Sequence, residues 1–361
     1  MSVYAESAVL AFVRQAFPDE HWTGPVEPLS GGALNQVCRV RGAERSVVFK
    51  HAPPHVASRP DLPLDESRLA FEAAALRAFD EEPSLRDLAD GTGVRPPRLL
   101  HHDAKLNFIL IEDLGDTPPL DTALNDLPET ESLGAALGRF IGGLHRATTA
   151  RPDLAEAFDN RPVQQTRFEL QYASAASYAE TAGAAEDESK RIQAHATDLG
   201  RRLLRPGRCL VMGDLWPPSI LPGEENLRLI DWEFAHYGRP LQDSAHLAAH
   251  CWMHAIAARS PSESRAWILF WEAFARAYSH TGAAPPSLDA SGIDWNLHFA
   301  AEVLMRTAGP FRANGPFAAC NDNDLRLTHA RASATALLAD PKQAFPVFWP
   351  SISKNARHGN N

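Results

Sequence analysis

The chain has 361 residues, 44% of them hydrophobic and 22% charged, so it can bury two or three core-bearing lobes of ordinary globular composition. Its 45 acidic against 35 basic residues give a formal net charge of -10, which disfavours nucleic acid or an anionic membrane as partner but leaves room for a local basic cleft around a phosphorylated small molecule. Four cysteines, Cys38, Cys209, Cys251 and Cys320, form no CxxC pair, which points to neither a disulfide framework nor a cysteine zinc site and fits a reducing cytoplasm.

The N-terminal stretch MSVYAESAVLAFVRQAF carries Glu6 and Arg14 in an amphipathic helical pattern, unlike a signal peptide. No uncharged apolar run approaches the roughly 18 residues of a membrane span, so a soluble protein is expected. VEPLSGG, NQVCRVRG, SVVFKHA, PRLLHHD and NFILIED then read as short strands. Gly31 and Gly32 lie in the first turn between them. There backbone N–H groups can approach a phosphate, although an ordinary hairpin turn has the same signature. In LDESRLAFEAAALRAFDEE, Leu69, Glu72, Leu76 and Phe79 recur at helical spacing, which places the Glu72 carboxylate on an apolar stripe. A buried carboxylate needs a cation, and Lys50, ending the strand SVVFK, is the candidate, as a phosphate anchor with its helix partner or as a structural salt bridge.

After EDLGDTPPL the periodicity turns helical, over 130–148 and near 166–181, 187–204, 241–257, 261–279, 294–308 and 323–338. An α+β, bilobal chain is expected. Residues 1–112 form a small antiparallel-sheet lobe and 113–361 a larger, mostly helical one, with SKNARHGNN as a disordered tail.

Residues 209–246 concentrate the chemistry. The runs Cys209 to Met212 and Leu227 to Ile230 predict a tight two-stranded element with Asp214 and Asp231 at its ends. Asp214 is followed five residues later by Ser219. Asp231 and Glu233, at i and i+2 of an extended segment, would point to one side and address one Mg2+ together with substrate phosphates. Asp243 opens a helix, where it would hold the catalytic loop's backbone or cap the helix. His246, His250 and His254 share that helix at i, i+4 and i+8, a zinc-like spacing, although a helix rich in Ala, Leu and Trp packs such histidines in a core. Trp252, Trp267, Trp271 and Trp295 read as core, whereas Trp216 in the loop is free to stack on an acceptor.

VMGDLWPPSIL followed by LRLIDWEFAHYGRPLQD resembles the catalytic and metal-binding segments of the aminoglycoside phosphotransferase and choline kinase superfamily, and most closely methylthioribose kinases. The likeness extends through GALNQVCRV, VFKHAPPHV and FILIEDLGD and covers most of the chain. It implies a protein-kinase-like fold that uses ATP and Mg2+, with Asp214 as catalytic base and Asp231 and Glu233 as metal ligands. Gly31, Gly32, Asn35, Lys50 and Glu72 would lie at the nucleotide, Glu112, Asp113 and Leu114 at the adenine-binding hinge, and Ser219 would close the catalytic loop. Three positions depart from the family pattern. Met212 replaces a histidine, Trp216 replaces another, and Arg306, preceded by Met305, stands for a paired arginine that contacts the sugar.

These readings converge on a cytoplasmic kinase that phosphorylates a hydroxyl of a small-molecule acceptor, a methylthioribose-like sugar in the first instance, as a monomer or homodimer. The charge of HFAAEVLMRTAGPFRANGPF, where Arg306 and Arg312 face only Glu302, disfavours a polycationic aminoglycoside. Another acceptor (an aminoglycoside, choline or an amino alcohol), a nucleotide-binding pseudokinase and an acidic-site metallohydrolase are the alternatives.

Overall fold

The computed structural model describes residues 4–29, 34–57, 59–223, 226–283 and 292–342. The Gly31–Gly32 turn and the C-terminal tail singled out above lie outside them.

The first third is an antiparallel sheet. Strands β1 (Trp22–Pro28), β2 (Gln36–Gly42) and β3 (Ser46–His51) are followed by helices α2 (Arg68–Glu81) and α3 (Pro83–Thr92), a two-residue strand β4 (Val94–Arg95), β5 (Leu99–Asp103) and β6 (Phe108–Glu112). Five of these strands pair in the order β1-β2-β3-β6-β5. The pleat sorts their side chains. On β3, Val47 and Phe49 join Val9 and Val13 of helix α1 (Glu6–Ala16) in one core, while Val48 joins Leu69, Ala73 and Leu76 of α2 in the other. Phe108 and Leu110 of β6 face the first core, and Ile109 and Ile111 the second. Lys50 follows the parity of Val48, and so points toward α2.

The remainder is largely helical: α4 (Thr130–Ala147), α5 (Arg161–Arg167), α6 (Glu186–Leu203), α7 (Leu241–Ala257), α8 (Pro261–Ser279), α9 (Ile293–Thr307) and α10 (Leu325–Ala339). Gly134 and Gly138 let α4 close on α8, because a Cβ on either would sit 2.2 and 2.3 Å from the carbonyl oxygens of Phe270 and Phe274. Trp252, Trp267, Trp271 and Trp295 are buried, as their periodicity required. The helix expected near 166–181 is broken. α5 passes at Arg167 into a π-helical turn, Phe168–Ala173, before a short helix Ala175–Thr181. No helix of the described residues is long and apolar enough to cross a membrane.

One pairing differs from expectation. The runs at 209–212 and 227–230 are both strands, β7 (Cys209–Val211) and β9 (Leu227–Leu229), but they do not pair with each other. Pro217–Ser219 forms a 3-10 turn that returns the chain as β8 (Ile220–Pro222), and this strand takes the antiparallel place beside β9. β7 pairs instead with β10 (His236–Gly238), while β4 lies parallel to β9. Both ends of the 212–219 loop are thereby fixed.

Candidate active site

Lys50 is the centre of the first cluster. Its Nζ lies 2.7 Å from Glu72 Oε2 and 2.7 Å from Asp231 Oδ1, and only 2% of the side chain is exposed. Burial alone would push the ammonium's pKa down, but the carboxylates of Asp231 and Glu72 outweigh it and raise it, so the lysine stays charged. Burial pushes the Glu72 carboxyl up against the pull of Lys50.

The extended Asp-x-Glu geometry does not form. Asp231 is left-handed at φ 65°, and Trp232–Phe234 is a 3-10 turn, so the two carboxylates diverge. Asp231 keeps a side chain that is 43% exposed, whereas Glu233 is buried. Glu233 accepts from Arg68 Nε at 2.8 Å and from Asn35 Nδ2 at 2.8 Å. Asn35 Oδ1 in turn accepts from Arg68 Nη2 at 2.9 Å, so the Asn35 amide is committed to this ion pair. Arg68 is wholly buried and also donates to the carbonyls of Leu34, Pro53 and Asp65. Sequence reasoning passed over it, although it stands four residues before Glu72 on the same apolar stripe.

The side chains of Glu112 and Asp113, expected at the nucleotide, are likewise engaged. Asp113 pairs with Arg39 at 2.7 Å and accepts from Ser46 Oγ at 2.5 Å, and Glu112 faces Arg228 at 3.4 Å and the Arg98 amide at 3.1 Å. Leu114 is half-buried. Backbone groups are therefore what this segment offers a ligand.

Asp214 follows Gly213, whose φ of 81° and 2.3 Å approach of a built Cβ to the Phe234 carbonyl oxygen leave no room for a side chain. The loop is held from below by Asp243, which accepts from the Met212 amide at 3.0 Å and the Gly213 amide at 2.8 Å. His145 Nε2 lies 2.9 Å from the same carboxylate. An imidazole delivered by α4 thus supports the carboxylate that holds the Met212 and Gly213 amides. Asp243 holds backbone, one of the two roles weighed for it.

Arg167 and His246 address Asp214 Oδ1, from 2.8 and 3.3 Å. Burial would raise the Asp214 carboxyl, but the His246 hydrogen bond and the charges of Arg167 and Arg306 hold it well below the usual carboxylate range. Arg167, at the start of the π-helical turn and stacked 5.1 Å over Phe234, was not foreseen. Ser219 is buried; its carbonyl accepts from Ile230 N at 2.9 Å, and its Oγ has no hydrogen-bond partner among the described residues.

Trp216 and Arg306 do meet. The guanidinium lies 4.6 Å from the indole, and Arg306 Nε donates to Glu302 at 2.7 Å. Arg306 is buried within the helical layer, not on a helix surface, and Trp216 is half-buried. His246 and His250 also approach Glu302, and His254 stands apart from this group. Burial lowers the pKa of His250 to about 4 and of His254 to about 3, which leaves both neutral. With Arg306 already neutralising Glu302, the histidines read as core. Beyond Trp216 and His250 lies a cavity of about 110 Å³ that also includes Asp121 and His254.

Residues 25–290 match the family model described as "Phosphotransferase enzyme family". A 4-hydroxytryptamine kinase of Psilocybe cyanescens is 27% identical over 69% of this chain and 73% of its own length. A methylthioribose kinase of Bacillus pumilus is 24% identical over 75% of this chain and 73% of its own. Choline kinase LicA of Streptococcus pneumoniae superposes with a TM-score of 0.51 at 15% identity, covering 92% of this chain and 98% of that one. The ADP-bound aminoglycoside phosphotransferase APH(2'')-Ib superposes with a TM-score of 0.53 at 12% identity, covering 92% and 99%. The fold is thus bilobal and protein-kinase-like, with a sheet-based N-terminal part and a helical C-terminal part, and the chain belongs to the phosphotransferase enzyme family as a small-molecule phosphotransferase.

Proposed function

We propose that the chain binds ATP and Mg2+ between an N-terminal lobe, 1–112, and a C-terminal lobe, 113–361, and transfers the γ-phosphoryl group to a hydroxyl of a small acceptor. The carrying observation is Lys50, held at 2.7 Å by both Glu72 and the partly exposed Asp231. An ammonium so placed can share its charge with phosphate oxygens. Asp231 and the Oγ of Ser219, which has no hydrogen-bond partner among the described residues, stand just beyond the adjoining ends of β9 and β8 and fit Mg2+ as hard oxygen donors. Glu233 fits only by releasing Arg68 and Asn35. When bound, the metal supplies charge neutralisation at the phosphates. Asp214 orients the acceptor hydroxyl and takes its proton; with its pKa held low, orientation is the larger part of its work.

On the acceptor side, Trp216 offers an apolar face and Arg306 is neutralised by Glu302. The cavity of about 110 Å³ is small for a multi-ring aminoglycoside. A neutral hydroxylated acceptor with an apolar substituent, methylthioribose-like, suits these walls. A hydroxylated aromatic amine is the second reading, favoured by Asp121, whose Oδ1 is buried without a hydrogen-bond partner among the described residues. ADP release should be measured with Mg-ATP against methylthioribose, 4-hydroxytryptamine, choline and gentamicin. Turnover with either of the first two is expected, and turnover with gentamicin alone would overturn the acceptor reading. Absence of thermal stabilisation by Mg-ATP would overturn the nucleotide site.

A further inference from the structure

One guanidinium holds both side chains of the acceptor corner. Arg167, 10% exposed, donates from Nη2 to Asp214 Oδ1 at 2.8 Å and from Nη1 to His246 Nδ1 at 3.5 Å, and it stacks 5.1 Å over the Phe234 ring. We propose that Arg167 is a positioning residue of the transfer reaction: it fixes Asp214 by Oδ1 and sets the tautomer of His246, so that Oδ2 alone is left to meet the acceptor hydroxyl. The inference rests on the kinase reading above and adds which oxygen of Asp214 faces the acceptor and what aims it.

The break in the helix delivers the arginine. Regular α-helix ends at Arg167, and Phe168–Ala173 winds as a π turn, a local widening that recurs at functional sites. Its seat is specific. A Cβ at Gly200 of α6 would meet Phe168 Cδ2 at 2.6 Å and Tyr172 Cβ at 2.8 Å, and Tyr172 Oη lies 2.6 Å from His298 Nδ1 on α9. Contacts with two helices thus fix the turn that Arg167 enters. Among the described residues, every hydrogen bond and ion pair of the Asp214 carboxylate falls on Oδ1. The lone pairs of Oδ2 are the ones open to a ligand.

A ring nitrogen that accepts from Arg167 carries no proton, so the His246 proton belongs on Nε2, 3.3 Å from the same Oδ1. Glu302 Oε2, 3.6 Å from Nδ1, stands beyond hydrogen-bond reach, and Oε1 of the same residue accepts from Arg306 at 2.7 Å. His250 on α7 and His298 on α9, 5.1 and 5.9 Å from the His246 ring by centroid, are held neutral by burial. The charges around Asp214 are therefore Arg167 beside it, Arg306 on α9 and Glu302 behind His246. Burial would raise the Asp214 carboxyl, and His246, Arg167 and Arg306 hold it down. Removing Arg167 takes away one of these and releases the imidazole tautomer.

The test begins without an acceptor. In the full chain labelled with 15N-histidine, His246, assigned by the signals lost in His246→Gln, should carry its proton on Nε2 with Nδ1 bare. A proton on Nδ1 would overturn the proposal, because Arg167 could not then donate there. With Mg-ATP and methylthioribose or 4-hydroxytryptamine as acceptor probes, Arg167→Met should lower kcat about 10²-fold through lost orientation and leave the KM for Mg-ATP unchanged. Its acid limb in kcat/KM should move to higher pH, since Asp214 then takes up a proton more readily. Arg167→Lys keeps the charge but not the two-pronged donor set, so its acid limb should stay with wild type while kcat still falls. Wild-type kcat in either variant, or an acid limb unmoved in Arg167→Met, would also overturn the proposal. If Arg167→Met does not fold, the lysine variant and the tautomer decide. If neither probe is phosphorylated, the acceptor reading falls while the tautomer still decides the placement of Arg167.

Discussion

Replacing Arg68 by methionine is the sharpest perturbation of the N-terminal part. The guanidinium is 0% exposed and the Glu233 side chain 4%, at 2.8 Å, so Arg68→Met leaves a buried carboxylate without its cation. Breaking one side of such a pair costs about 3 to 5 kcal/mol, because the surviving charge stays desolvated. The carbonyls of Leu34, Pro53 and Asp65 lose a donor as well, which adds to the loss. Urea unfolding should show the midpoint falling without a change in slope. Arg68→Met/Glu233→Gln should recover part of the loss, since a neutral amide in place of the carboxylate can still accept from Asn35. A loss under about 1 kcal/mol for Arg68→Met, or strictly additive effects in the double variant, would refute the assignment of Glu233 to this ion pair.

Three further outcomes are expected. Lys50→Ala should blunt stabilisation by Mg-ATP, while Asp214→Asn should keep it and lower turnover by about 10² or more, which thermal shift and ADP release separate. Gly213→Ala should lower activity at least about tenfold and destabilise the fold by about 1 to 3 kcal/mol, since the new Cβ meets the Phe234 carbonyl oxygen at 2.3 Å with φ at 81°. His250 is neutral in the fold at a pKa of about 4 against 6.5 unfolded, so its contribution is present above pH 6.5 and is lost as pH falls toward about 4. The loss is about 3 kcal/mol at 1.36 per unit; urea midpoints at pH 7 and pH 5 should differ more for wild type than for His250→Gln.

Local periodicity carried much of the fold. The alternation of Val47, Val48, Phe49 and Lys50 and the helical spacing of Leu69, Glu72 and Leu76 already aim the lysine at the glutamate, and the structure places them 2.7 Å apart. Most helix limits in the second half were legible for the same reason, the broken segment at 166–181 excepted. Residues that act through distant partners were not. Arg68 and Glu233 are 165 positions apart, His145 and Asp243 98, Arg167 and Asp214 47, and no repeat in the chain marks such pairs. The diverging carboxylates of Asp231 and Glu233 were misread because extended backbone is the default after a strand. Here Lys50 grips Asp231 and Arg68 grips Glu233, and with these contacts the backbone turns left-handed at Asp231. Strand pairing failed for a related reason: Ile220–Pro222 is too short to announce itself, yet it takes the place that Cys209–Val211 was given.

The central claim is phosphoryl transfer from ATP to an organic hydroxyl with Asp214 at the acceptor. It is tested most directly by 31P NMR of wild type and Asp214→Asn incubated with Mg-ATP and either methylthioribose or 4-hydroxytryptamine. The account predicts a new phosphomonoester resonance growing with ADP in the wild-type sample and slowed about 10²-fold or more in the variant. Inorganic phosphate as the sole new species, or equal rates of phosphomonoester formation in the two proteins, would contradict it.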